Sequence, residues 1–217
     1  MSFLQMFSLL ASGAGYTVLV TVACIATAVV SGLLVALLGR LRIKPLNRVL
    51  AVYTYIFRGI PVLVLLFIVF FGLPGIGLSV PPLVSMMLSL GLIAGAYLAE
   101  VFRGALDAVD ESEIMAAEAM GMSRSQILFA IEVPQMLRFS VPGMLNEFTT
   151  VLKYSPFAYT VGIPDIMKQA LALASTTLRG LEIYLAIGLL YFAIYQLMLA
   201  LMKAVERRFS VPGFKRL

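Results

Sequence analysis

Residues 16–39 read YTVLVTVACIATAVVSGLLVALLG, a run without one charged side chain. A bilayer's hydrocarbon core is crossed by a helix of about 20 apolar residues. The rest of the chain repeats the theme. Of its 217 residues, 61% are hydrophobic and only 12% charged, with a mean hydropathy of +1.01. Soluble domains are about half apolar and about a quarter charged. The expected fold class is an all-α integral membrane protein with one membrane domain and about five transmembrane helices. Span one covers about Tyr16 to Gly39, span two Val49 to Gly72, and span three Leu83 to Phe102. Span four covers about Phe139 to Thr160, and span five Leu181 to Met202. Residues 1–14 are expected to form a short interfacial helix, and 209–217 a cytoplasmic tail.

Charge orients these spans. No charged residue occurs before Arg40, and the next loop holds Arg40, Arg42, Lys44 and Arg48. The Gly- and Pro-rich connection from Leu73 to Pro82 is again uncharged, while the tail carries Lys203, Arg207, Arg208, Lys215 and Arg216. Basic clusters stay on the cytoplasmic side, which places the N-terminus outside and the C-terminus inside. The segment from Val161 to Gly180 then lies outside, and Pro164 and Asp165 suit a helix start there.

The same charges invite a nucleic-acid reading, given a net charge of +5 and a pI near 9.5. They sit between hydrophobic blocks, however, and leave no soluble basic face. Cys24 is the only cysteine, so no intrachain disulfide is expected, and the chain has no histidine. Without histidine, the commonest metal ligand and the commonest general base are both missing. An intramembrane enzyme is therefore disfavoured. The first apolar block is too long for a cleavable signal core and lacks a preceding basic residue. A lone secondary carrier is disfavoured by few spans and no internal repeat.

Between spans three and four lies a polar, helix-forming island. Glu113 to Met120 is built of Ala, Met and Glu, all good helix formers. Gly121 can end that helix in a left-handed conformation, and Ser123 can cap a second one. The second carries Ile127, Leu128 and Ile131 at helical spacing up to Pro134. Two readings fit: a compact cytoplasmic knob, or an amphipathic loop lying on the membrane.

The island resembles the EAA loop of ABC-transporter permeases, in which Glu-Ala-Ala is followed after three residues by Gly and after nine more by Ile-x-Leu-Pro. Ala116, Ala117, Gly121, Ile131 and Pro134 keep that spacing; Val133 replaces the Leu and Met115 the Glu. Arg58-Gly59-Ile60-Pro61 resembles the Arg-Gly-Thr-Pro signature of polar amino acid permeases. Gly95-Ala96-Tyr97 with Glu100 to Ala105, Asn146-Glu147-Phe148, Leu152-Lys153, Val161 to Asp165 and Glu206-Arg207-Arg208 extend the likeness. The chain is most similar to the Q-type partner of the histidine and basic amino acid importers.

This resemblance implies a type I ABC importer-like permease subunit with its permease domain over 15–208 and a coupling region over about 112–134. It implies a homologous second permease chain in a heterodimer, two copies of an ABC ATPase, and a periplasmic or lipid-anchored amino-acid-binding protein. No P-loop is present, so ATP and Mg2+ are expected on the partner ATPase and no cofactor on this chain. The coupling residues implied are Glu113, Ala116, Ala117, Glu118, Gly121 and Pro134. The cargo implied is a polar or basic amino acid. The alternative is a structural subunit of a membrane complex with no path of its own.

Ionisable groups inside spans default to a functional role because lipid makes them costly. Asn146, Glu147, Lys153 and Tyr154 of span four are the candidate substrate pathway. Glu147 and Tyr154 share one helix face, as do Asn146 and Lys153. Glu147 could hold a cationic group of the substrate or pair with a cation of a partner subunit. Ile93 and Tyr154 stand where the family often has Asn and Asp. That departure suits either an unusual substrate or a heterodimer subunit that leaves the substrate to its partner, and the similarity to the Q-type partner favours the second. Pro61 is expected to bend span two, giving Arg58, Gly59 and Pro61 a gating or structural role. Glu100 and Arg103 are expected to pair at the exit of span three.

Overall fold

The computed structural model describes residues 3–41, 43–177 and 179–209. Arg42 and most of the expected tail lie outside the described residues. All regular structure among them is helical: α1 (Phe3–Ala11), α2 (Ala14–Gly39), α3 (Lys44–Gly59), α4 (Val62–Phe67), α5 (Pro82–Met86), α6 (Leu92–Asp107), α7 (Glu111–Ala119), α8 (Arg124–Ile127), α9 (Val133–Tyr154), α10 (Ile166–Thr177) and α11 (Gly180–Phe209). One π turn, Met87–Gly91, joins α5 to α6, and another, Leu128–Glu132, joins α8 to α9.

Gln5–Gly39, Pro82–Asp107 and Gly180–Arg207 are long and apolar enough to cross a membrane. A fourth candidate is broken: Lys44–Gly59 and Val62–Ile76 meet at an angle of 103°. The bend expected at Pro61 is therefore a full interruption. Proline has no N–H to continue the helix, and Ile60 is extended with ψ at 130°. The remaining expected crossing, span four, falls on α9, which has 22 residues but carries Arg138, Glu147 and Lys153. Among the described residues, three continuous candidates and one broken one are thus fewer, by length and composition, than the five expected.

α2 and α6 form the most extensive helix pair, and small residues make this possible. A Cβ on Gly32 would stand 2.9 Å from the Leu98 Cβ and 3.0 Å from the Gly95 carbonyl oxygen. A Cβ on Gly91 would stand 2.9 Å from that of Thr27. Around this seam, Cys24, Ala28, Leu66, Met86, Leu98, Phe102 and Met136 form the larger core. The hydroxyls inside α2 are satisfied within the helix, Thr21 donating to the Thr17 carbonyl at 2.7 Å and Ser31 to that of Thr27 at 2.7 Å. A second, smaller core joins Met6 and Leu10 of α1 to Ile166 and Ala170 of α10 and Ile183 and Ala186 of α11. The N-terminal helix is thereby packed on protein along one side.

Sequence reading followed the helix after Ser123 as far as Pro134, on the way into span four. It continues into α9, and the π turn is the reason. The Val133 N–H reaches back to the Leu128 carbonyl, five residues away, at the point where Pro134 offers no N–H. The wider turn gives the proline ring room it would lack in an α-helix.

Candidate functional site

Two features stand out at separate levels of the bundle. The first is the knob between α6 and α9. Asp110 caps α7 by accepting the Ser112 N–H at 2.9 Å, and this bond holds its carboxyl below the usual carboxylate range. Glu111 and Glu113 fall in the first turn, where the helix dipole favours negative charge. α7 ends in a Schellman arrangement: Met122 N–H donates to the Ala117 carbonyl at 3.1 Å, Gly121 N–H to that of Glu118 at 2.9 Å. Gly121 has φ of 80°, the left-handed conformation its position predicted. Ser123 and Gln126 then close a capping box over α8.

The knob is bolted to the bundle at two points. Gln135 of α9 donates to the Glu113 carboxylate at 2.5 Å. At the base, the Arg40 guanidinium at the end of α2 gathers three partners. It lies 3.2 Å from Asp107, donates to the Leu106 carbonyl at 2.7 Å, and lies 3.2 Å from Glu132 in the π turn. Glu132 is fully buried, and neither of its oxygens makes a well-aligned hydrogen bond. Sequence reading counted Arg40 as a loop charge and missed its tie to Glu132. A signal was present: Leu128, Glu132 and Met136 are spaced by four, which places the carboxylate on an apolar stripe.

Among the expected coupling residues, Glu113, Ala116, Glu118 and Gly121 are exposed on the knob, Ala117 is buried, and Pro134 opens α9. Met115 and Met120 are exposed beside them, Met120 at 84%.

The second feature is a cavity of about 400 Å³ beside the break in the second span. Arg58, Gly59 and Pro61 line it from the break, Ile93 and Tyr97 from α6, and Glu147 and Tyr154 from α9. The break also leaves the first N–H groups of α4 without intrahelical acceptors. Arg58 is held over the Tyr97 ring, 5.1 Å from its centroid, with Glu100 at 3.9 Å. Glu100 also forms the expected pair with Arg103, at 3.1 Å. Glu147 is half-buried, lies within electrostatic range of Arg58, and has no hydrogen-bond partner among the described residues. The cavity can thus present one carboxylate, one guanidinium and two phenols to a small zwitterion.

The structure separates the four span-four candidates. Glu147 and Tyr154 face the cavity. Lys153 points the other way, toward α11, with its ammonium 5.9 Å from the centre of the Tyr195 ring. Asn146 is exposed, its carbonyl accepting from Thr149 and Thr150. Among the described residues, no cluster of His, Cys, Asp and Glu could hold a metal.

Comparison with known proteins agrees with this architecture. A family model described as the inner membrane component of binding-protein-dependent transport systems matches residues 28–211. The histidine/lysine/arginine/ornithine transport system permease protein HisQ of Escherichia coli is 33% identical over 175 residues, 76% of each chain. The arginine transport system permease protein ArtQ of Bacillus subtilis is 28% identical, covering 90% of each chain. The crystal structure of an amino acid ABC transporter with histidines contains a chain that superposes with a TM-score of 0.86 at 31% identity, covering 96% of this chain and 99% of that one. A family match over most of the length, on a fold with a broken span and a capped polar knob, shows that this chain belongs to the inner membrane components of binding-protein-dependent transport systems, as an importer permease subunit.

Proposed function

We propose that this chain lines half of the path by which an ATP-driven importer carries a polar or basic amino acid into the cytoplasm. The observation that carries the reading is the cavity at the Pro61 break, where Arg58 and Glu147 stand as opposite charges with Tyr97 and Tyr154 beside them. An amino acid offers the complementary pair, a carboxylate and an ammonium. The relatives' names support an amino acid as cargo, and those of HisQ and ArtQ favour a basic one.

The partners follow from the same reading. A homologous second permease completes the membrane path as a heterodimer. Two ATPase copies bind ATP and Mg2+ and receive α7 in a surface groove, where Ala116 permits close approach and Glu113 and Glu118 meet basic groups. A periplasmic or lipid-anchored binding protein delivers the amino acid from the other side. The chain sits in the bacterial cytoplasmic membrane with five spans, α9 among them, its N-terminus outside and its C-terminus inside. Residues 1–14 act as an interfacial helix, 15–208 as the permease domain, and 209–217 as a cytoplasmic tail. Nucleotide-driven closure of the ATPases moves α7, and the tilt of α6 and α9 alternates access to the cavity.

Glu147→Gln in the assembled transporter tests the pathway. A charged hydrogen bond is worth about 1.5–3 kcal/mol, so KM for a basic amino acid should rise by about 10-fold to 100-fold. Radiolabelled uptake into proteoliposomes measures it. An unchanged KM would assign recognition to the second permease chain instead.

A further inference from the structure

At the end of the bundle opposite the knob, four elements converge on one buried carboxyl. Asp165 immediately precedes α10 and is 0% exposed. Its Oδ1 caps that helix by accepting the Lys168 N–H at 2.9 Å. Its Oδ2 is buried with no hydrogen-bond partner. The Tyr191 hydroxyl of α11 is also buried without one, and it lies near Asp165 and the hydroxyls of Thr17 and Ser155 without reaching hydrogen-bond geometry. Thr17 comes from α2 and is 1% exposed; Ser155 follows α9 and is 1% exposed. Thr17 Oγ1 also accepts the Ile166 N–H at 3.3 Å. The kink between α1 and α2 closes the site, since a Cβ on Gly13 would stand 2.6 Å from the carbonyl carbon of Asp165.

Two buried polar atoms left unpaired at one point call for an explanation. An ionised carboxylate here is compensated by the N–H groups of Lys168, Met167 and Asp165 itself and by the Lys168 charge, but burial outweighs them. Lys168, the charged neighbour on α10, spends its ammonium on the Gly162 carbonyl at 2.7 Å. α1 and α2 carry no charged residue, α11 contributes the neutral Tyr191, and the turn Ser155–Val161 has Tyr159 as its one ionisable side chain. A protonated Asp165 fits better. Its O–H is a donor facing the Tyr191 hydroxyl as acceptor, and Tyr191 in turn lies beside the Thr17 and Ser155 hydroxyls.

We propose that Asp165 is a proton-binding latch, holding α2, α10, α11 and the end of α9 together when protonated and loosening them when it releases its proton to solvent. Burial raises the Asp165 carboxyl from 3.8 to about 6, against the opposing pull of the Lys168 N–H. Between those values an opened or unfolded site ionises while the closed site keeps its proton. Stability contributed by this group is therefore lost as pH rises from about 4 to about 6, and stays lost above. Raising the carboxyl from 3.8 to about 6 corresponds to roughly a 100-fold change in the balance of closed and open forms.

The latch lies outside the proposed transport cavity, and its test needs no transport assay. In the purified transporter complex, Asp165→Asn keeps the Oδ1 acceptor and puts an N–H donor at Oδ2. Thermal unfolding midpoints of the wild type should fall as pH rises through that window, and Asp165→Asn should remove that part of the slope and unfold at a higher temperature at neutral pH. Equal slopes in both proteins would overturn the latch. Should the variant fail to assemble, infrared spectra of the wild type and Tyr191→Phe decide the matter. A carboxylic-acid C=O band titrating near pH 6 should shift in frequency when the Tyr191 hydroxyl is removed. A band that does not respond to Tyr191→Phe would overturn it equally.

Discussion

Arg40→Ala should be the most destabilising single change considered for this chain. Arg40 is the ionic partner of Glu132, whose side chain is 1% exposed. Removing one member of a buried pair leaves an uncompensated charge, at a cost of about 3–5 kcal/mol. The loss should be larger than that of either surface pair, Glu100 with Arg103 or Arg179 with Glu182. Arg40→Met combined with Glu132→Leu removes both charges and should recover most of the stability, because an apolar replacement of a buried pair is often neutral. Unfolding can be followed through Cys24, which is buried and becomes accessible to a thiol reagent when the helices separate. An Arg40→Ala protein that unfolds at the wild-type midpoint would show that the tie carries no stability.

Gly121→Arg should separate ATP hydrolysis from uptake. Gly121 turns the chain at φ of 80°, and its Cβ position faces open space. The folded core therefore has no clash to relieve. The cost lies in the left-handed backbone, about 1–2 kcal/mol for an L-residue, and in a long cation placed at the end of α7. Uptake by the assembled transporter should fall at least about 10-fold while hydrolysis continues, the equivalent of about 1.4 kcal/mol of lost coupling. Gly121→Asn separates the two causes, since asparagine tolerates the left-handed region. It should stay near wild-type uptake. Equal uptake by Gly121→Arg and wild type would remove the knob from the coupling path.

Much of this was readable from the residues. The uncharged run of α2 and the apolar α5–α6 segment announce membrane helices by length alone. Pro61 announces the break, and Gly121 and Ser123 announce the turn and the cap of the knob. What escaped the sequence was rotation and partnership. Helical periodicity pairs Glu147 with Tyr154 and Asn146 with Lys153, but only packing against α6 and α11 decides which pair meets the cavity. The helix was followed only as far as Pro134 because a π turn is not written in any one residue. The Arg40–Glu132 tie spans 92 positions, and long-range ion pairs leave no local spacing to read. α9 is the hardest case: it was legible as span four, yet Arg138, Glu147 and Lys153 leave it outside the helices that length and apolar composition single out.

As proposed, this chain moves its cargo only as one part of an ATP-driven assembly. The direct test is to purify it from its native membrane with whatever co-elutes, identify those chains by mass spectrometry, and assay amino acid uptake in liposomes. Recovery of an ABC ATPase and a second permease-like chain, with uptake that stops when ATP is withheld, is the predicted result. Uptake by this chain alone, without ATP or an ATPase, would contradict it.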